Sequence, residues 1–139
     1  MKPAIDETGW PLVRIQYGAE LTLEDIQYLA ERIEGIFRKR GPMITVADIG
    51  AVTLRSTTSV ERRRIAEDAD RLAGMNLFIA EAVIIPNPVL RVVYASYIWA
   101  RRRLNHPYAC FAEESAALAW ALGCLRTAEP APMEEKRVN

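Results

Sequence analysis

The chain has 139 residues, half of them hydrophobic and 26% charged, and its 18 basic and 18 acidic residues leave no formal net charge. That length suffices for one domain with its own core and needs no metal or disulfide staple. Balanced charge excludes the broad positive field that draws a protein to nucleic acid or to an anionic bilayer, so no nucleic-acid partner is expected. The start of the chain lacks the apolar core of a signal peptide. The longest apolar-rich segment, 89–100, is interrupted by Arg91 and falls short of the roughly 20 residues that span a bilayer. The expectation is a cytoplasmic protein without stable membrane insertion.

Taken in order, residues 4–5 and 11–17 flank a turn at Glu7-Thr8-Gly9 and form a hairpin. The second run alternates Leu12, Arg14 and Gln16 against Val13, Ile15 and Tyr17, which predicts a strand with one buried face. Thr22 is placed to cap a first helix, with acids in its first turn and Leu21 as a hydrophobic staple to Ile26. Ile26, Leu29, Ile33, Ile36 and Phe37 recur at helical spacing, and Gly41-Pro42 ends the helix. The run 43–47 is apolar or β-branched, as in a strand covered on both faces.

A second helix is predicted over 59–73 and stops at Gly74. Arg63–Glu67, Arg64–Asp68 and Glu67–Arg71 are read as pairs on its outer surface, above a stripe of Ile65, Ala69 and Leu72. Residues 77–85 read as a strand. Asn87-Pro88 opens a third helix to about 104, whose apolar residues leave little room for a polar face, so it is either enclosed or covered by a partner. Its anchors as an oligomer seam would be Tyr94, Tyr97, Ile98 and Trp99, and a homodimer through this helix is one expectation. A short strand at 108–111 and a last helix follow, and the tail 127–139 is expected to be disordered. The domain is therefore residues 1–126 in the order ββαβαβαβα: an α/β fold with four helices and a mostly parallel sheet carrying an antiparallel edge hairpin.

Candidate chemistry is sparse. Cys110 and Cys124 have no metal-ligand spacing and read as reduced core residues. His106, the one histidine, precedes a proline in a turn and reads as a surface residue. No Gly-rich phosphate loop, nucleophile elbow or dinucleotide fingerprint is present. Nothing calls for a cofactor or a metal, and no catalytic residue is assigned. Asp48 ends a strand where α/β folds place ligands, but a single acid there more simply accepts loop N–H groups. Four hydroxyl residues, Ser56, Thr57, Thr58 and Ser59, lead into the second helix. Thr58-Ser59-Val60-Glu61 is a capping box, and a hydroxyl in the positive potential of a helix start is also a place where phosphorylation reshapes a surface.

These residues resemble the STAS domains of anti-sigma-factor antagonists and sulphate transporters, and more broadly the SpoIIAA-like superfamily. Gly18-Ala19-Glu20-Leu21-Thr22 is similar to the family's G-x-L-T helix start with one residue added, and 47–59 lies without a gap on its L-D-L-S-G-V-x-F-x-D-S-S-G strand, loop and helix. The resemblance covers about residues 4–125. It implies a non-enzymatic bacterial protein-interaction module with a kinase-type regulator among its partners. Thr58 matches the phosphorylated serine, Thr57 stands beside it, and Asp48, Arg55, Ser56 and Ser59 complete a partner surface. Ser56 replaces the motif's acid, Ser59 its glycine, and Arg55 an apolar residue. The resemblance also admits a carrier that holds an apolar small molecule between the third helix and the sheet.

Overall fold

The computed structural model describes residues 2–52, 58–92, 94 and 106–128. Its strands are β1 (Ala4–Asp6), β2 (Leu12–Gln16), β3 (Met43–Asp48), β4 (Phe78–Ile84) and β5 (Tyr108–Phe111). Helices α1 (Leu23–Arg40) and α2 (Ser59–Ala73) separate β2, β3 and β4. Helix α3 starts at residue 88 and is described over 88–92 and at 94. Helix α4 (Glu114–Ala128) closes the domain and carries regular structure past residue 126 into the start of the expected tail.

The sheet order is β1-β2-β3-β4-β5, antiparallel between β1 and β2 and parallel thereafter. Each parallel step goes to the neighbouring strand in the same direction. Right-handed crossovers therefore lay α1, α2 and α3 on one face, and α4, after the last strand, turns back over the other.

β3 is the keel. Met43 and Ile44 are wholly buried and point to opposite faces. On the first face Met43 joins Val13, Ile15, Phe78, four residues of α1 (Leu29, Ile33, Ile36 and Phe37) and Leu72 of α2. On the second, Ile44 and Val46 join Leu12, Ala80, Ala82, Ile84 and the α4 residues Ala117 and Ala121. The alanines of β4 and α4 let helix and sheet approach closely.

Local signals account for the helix ends. Thr22 Oγ1 accepts from Asp25 N at 3.1 Å and Thr22 N donates back to the Asp25 carboxylate, so two first-turn amides are satisfied. Gly41 ends α1 at φ 90°, a conformation L residues with a Cβ avoid. Two expectations need correction. β2 is not buried on one face alone, because Leu12 sits under α4 while Val13 and Ile15 sit under α1. On α2, Asp68 is buried rather than on the outer surface. It takes Arg64 and Arg71, and Arg71 also pairs with Glu34 of α1 rather than with Glu67. The carboxylate is tolerated inside because two guanidiniums reach it at the seam between helices.

Truncating Ile44 to alanine would leave a cavity under α4. The expected cost is about 2–5 kcal/mol, read as a lower denaturation midpoint with an unchanged slope.

Candidate functional site

The C-terminal ends of β3 and β4 lie on one edge, and each feeds a helix start there. From β3 the chain turns at once: Asp48 accepts the Gly50 N–H at 2.9 Å, Ile49 N donates to Ile84 O, and Val52 N donates to Ile49 O. Asp48 is thus a loop organiser, and its own carbonyl accepts from Tyr17 N. A Cβ on Gly50 would stand 2.9 Å from Pro86 Cδ, so the loop after β3 is pressed against the loop after β4.

Two helix starts leave this edge. Thr58 caps α2, its hydroxyl accepting from Glu61 N at 3.1 Å while its N–H donates to the Glu61 carboxylate at 2.7 Å. Thr58, Ser59 and Val60 are exposed, Val60 to 62%. From β4, Asn87 Oδ1 accepts from Val89 N and Leu90 N and opens α3. Arg91 fastens that start down by donating to the carbonyls of Ile85 and Pro86, both at 2.9 Å. Val89 and Val92 are about two-thirds exposed. The edge therefore presents two capped helix starts with apolar side chains in the open. Of the residues singled out in the sequence, Asp48 ends β3 at this edge and Thr58 and Ser59 open α2. Arg55, Ser56 and Thr57 lie outside the described residues.

A second group of polar side chains sits on the α1–α3 face of the sheet. Glu81 on β4 is in register with Thr45 on β3 and Tyr108 on β5, so the three side chains share that face. His106 Nε2 lies 2.7 Å from the Glu81 carboxylate. Its side chain is only 5% exposed, and its ring packs on Phe78 with centroids 5.2 Å apart. The surface histidine expected from the turn is therefore a buried partner of Glu81. Tyr94 of α3 stacks on Tyr108 at 6.3 Å, and its seam companions Tyr97, Ile98 and Trp99 lie outside the described residues.

Burial, then the Tyr94 hydroxyl and the Glu81 charge, push both the Tyr17 and the Tyr108 hydroxyls well above the ordinary tyrosine value. Burial likewise raises the Cys110 thiol, with Arg91 opposing it. Both cysteines are free and half-buried. The sequence signal for this group was available in part: Glu81 is the one acid in an otherwise apolar strand, and a buried acid requires a partner.

Among the described residues no group of three or more His, Cys, Asp or Glu stands close enough to hold a metal, and no helix is long and apolar enough to cross a membrane. Asp6, Arg14, Gln16, Asp48 and Glu114 line a shallow depression of about 170 Å³ beside the start of α4, where Arg14 and Glu114 pair with each other.

No family model matches the chain, and no curated protein matches it. Among solved structures it is similar to an uncharacterized protein of the DUF3478 family with a SpoIIAA-like fold from Shewanella loihica PV-4. The TM-score is 0.58 at 16% identity, over 86% of this chain and 91% of that one. The fold is thus SpoIIAA-like, the STAS-type architecture its strand, loop and helix pattern resembles.

Raised tyrosine values have a signed consequence. The folded state holds the Tyr17 and Tyr108 protons more tightly than the unfolded chain, whose tyrosines lose theirs near 10.0. Stability is therefore intact below pH 10 and falls as pH rises above it. Urea midpoints measured from pH 8 to 11.5 should drop on the alkaline side, and a Tyr17→Phe, Tyr108→Phe double variant should flatten that drop.

Proposed function

We propose that this chain is a non-enzymatic protein-interaction module that reads a protein partner at the C-terminal edge of its sheet. The observation that carries the reading is the α2 start, where an exposed Thr58-Ser59-Val60 is held by its capping box. A rigid, open helix start with an apolar side chain next to hydroxyls costs little entropy to bind. The SpoIIAA-like fold supports the same reading, and the position of Thr58 matches the modified serine of the STAS pattern.

Phosphorylation at Thr58 would act locally. It would add close to two negative charges at a helix start, where backbone amides favour them, yet beside the Glu61 carboxylate that now closes the box. The new phosphate would take over the amides and expel Glu61, replacing an apolar and hydroxyl surface with a charged one. Ser59 extends the same surface, and the resemblance assigns Thr57, Arg55 and Ser56 to it as well. A kinase-type regulator is the partner class this chemistry suits.

An apolar cargo between α3 and the sheet is the weaker reading, because Glu81, His106, Tyr17 and Tyr108 put polar and ionisable groups on that face.

The test is affinity capture from the native host with wild type, Thr58→Ala and a Thr57→Asp, Thr58→Asp double variant. Thr58→Ala should cost about 1 kcal/mol of stability and leave a folded bait. The double Asp variant should lose a partner that wild type retains. Unchanged partner binding by that variant would contradict the proposal.

A further inference from the structure

The outer face of α4 has no occupant among the described residues, and its composition is unlike that of α1 and α2. Across Glu114–Ala128 the only charged residues are Glu114 and Arg126, so the helix has no polar face to give to water. One side packs on the sheet through Ala117 and Ala121, flanked by Leu118, Trp120, Cys124 and Leu125. The opposite side carries Ser115, Ala119, Leu122 and Arg126, all exposed, at successive spacings of four, three and four residues. That is the repeat of a helix seam. Leu122 is 49% exposed at its centre.

Gly123 lies inside the helix, where glycine costs about 1 kcal/mol relative to alanine, and among the described residues a Cβ placed on it would meet nothing within 4 Å. The same holds for Gly35 inside α1; at Gly123 the bare backbone adjoins Leu122 and leaves room for a close neighbour.

We propose that this face is covered by the α4 of a second copy, antiparallel about a two-fold axis level with Trp120 and Ala121. A two-fold contact must be complementary to itself, and this face is. With that axis, Leu122 of each copy stands opposite Ala119 of the other, a large side chain over a small one, with Ala116 and Gly123 widening the recess. Arg126 of each copy reaches the first turn of the other's helix, where Glu113 stands exposed. Neither Arg126 nor Glu113 has an ion-pair partner among the described residues. The antiparallel arrangement also places each helix's negative end beside the other's positive end. A parallel pair would oppose like charges and like ends. Four turns of helix offer less than the roughly 800 Å² per partner of a standard interface, so the dimer is a weak, concentration-dependent one.

Sedimentation equilibrium of the full chain tests this, from low micromolar to about 1 mM. Wild type should rise from the mass of one chain toward two. Leu122→Glu should raise the midpoint at least tenfold while keeping the wild-type melting temperature, since the site is exposed. Arg126→Glu alone should also weaken association, and Glu113→Arg with Arg126→Glu should restore it, a rescue that only the antiparallel pairing gives. A strict monomer throughout would overturn the proposal, whether α4 is then covered by residues 129–139 or by another protein. A dimer indifferent to both Leu122→Glu and the charge reversals would overturn it equally.

Discussion

A sheet strand buried on both faces must be covered from two sides, and β3 imposes that condition on the whole domain. Met43 and Ile44 are fully enclosed in opposite directions, so the strand holds its place only with α1 and α2 on one side and α4 on the other. The two sides are met differently. On the first face α1 and α2 carry charged outer surfaces, such as the Arg64–Asp68–Arg71–Glu34 chain, that keep them in water. Among the described residues one helix serves the second face, and it covers β3 and β4 with small residues on the inside and has almost no charge on the outside.

The same topology makes the candidate site. Parallel neighbours put the ends of β3 and β4 on one edge, so the starts of α2 and α3 emerge side by side whatever the loops contain. What the loops add is rigidity: Asp48 on the Gly50 amide, Gly50 against Pro86, and Arg91 on the carbonyls of Ile85 and Pro86. A surface of the kind proposed gains from being set in advance, because ordering a loop on contact subtracts from affinity. The surface on α4 is a separate one, on a different face, so self-association and partner binding need not exclude each other.

Much of the fold was legible because it is written in local rules. Thr22 and Thr58 cap as their spacing demands, Gly41 and Gly74 follow the ends of α1 and α2, and Asn87-Pro88 opens α3. What the sequence hid were pairings across distance. The partner of Glu81 is 25 residues away at His106, and that of Arg71 is 37 residues away at Glu34. Helical periodicity placed Arg71 opposite Glu67, its neighbour in sequence, because nothing local indicates that α1 passes close by. Leu12 was assigned to solvent by strict alternation, which cannot foresee a helix arriving from residue 114 onward to cover it. The capping threonine was legible as a cap. That Thr58 stands exposed, and that the loops after β3 and β4 meet at Gly50 and Pro86, 36 residues apart, came only from the structure.

The central claim is that partners meet the C-terminal edge of the sheet. The most direct measurement is an NMR footprint on the isotope-labelled full chain, titrated with a partner recovered by capture. The account predicts that the shifted backbone amides cluster at Gly50 to Val52, Thr58 to Val60 and Val89 to Val92. A footprint confined to α4, or to the outer faces of α1 and α2 with Thr58 to Val60 unmoved, would contradict it.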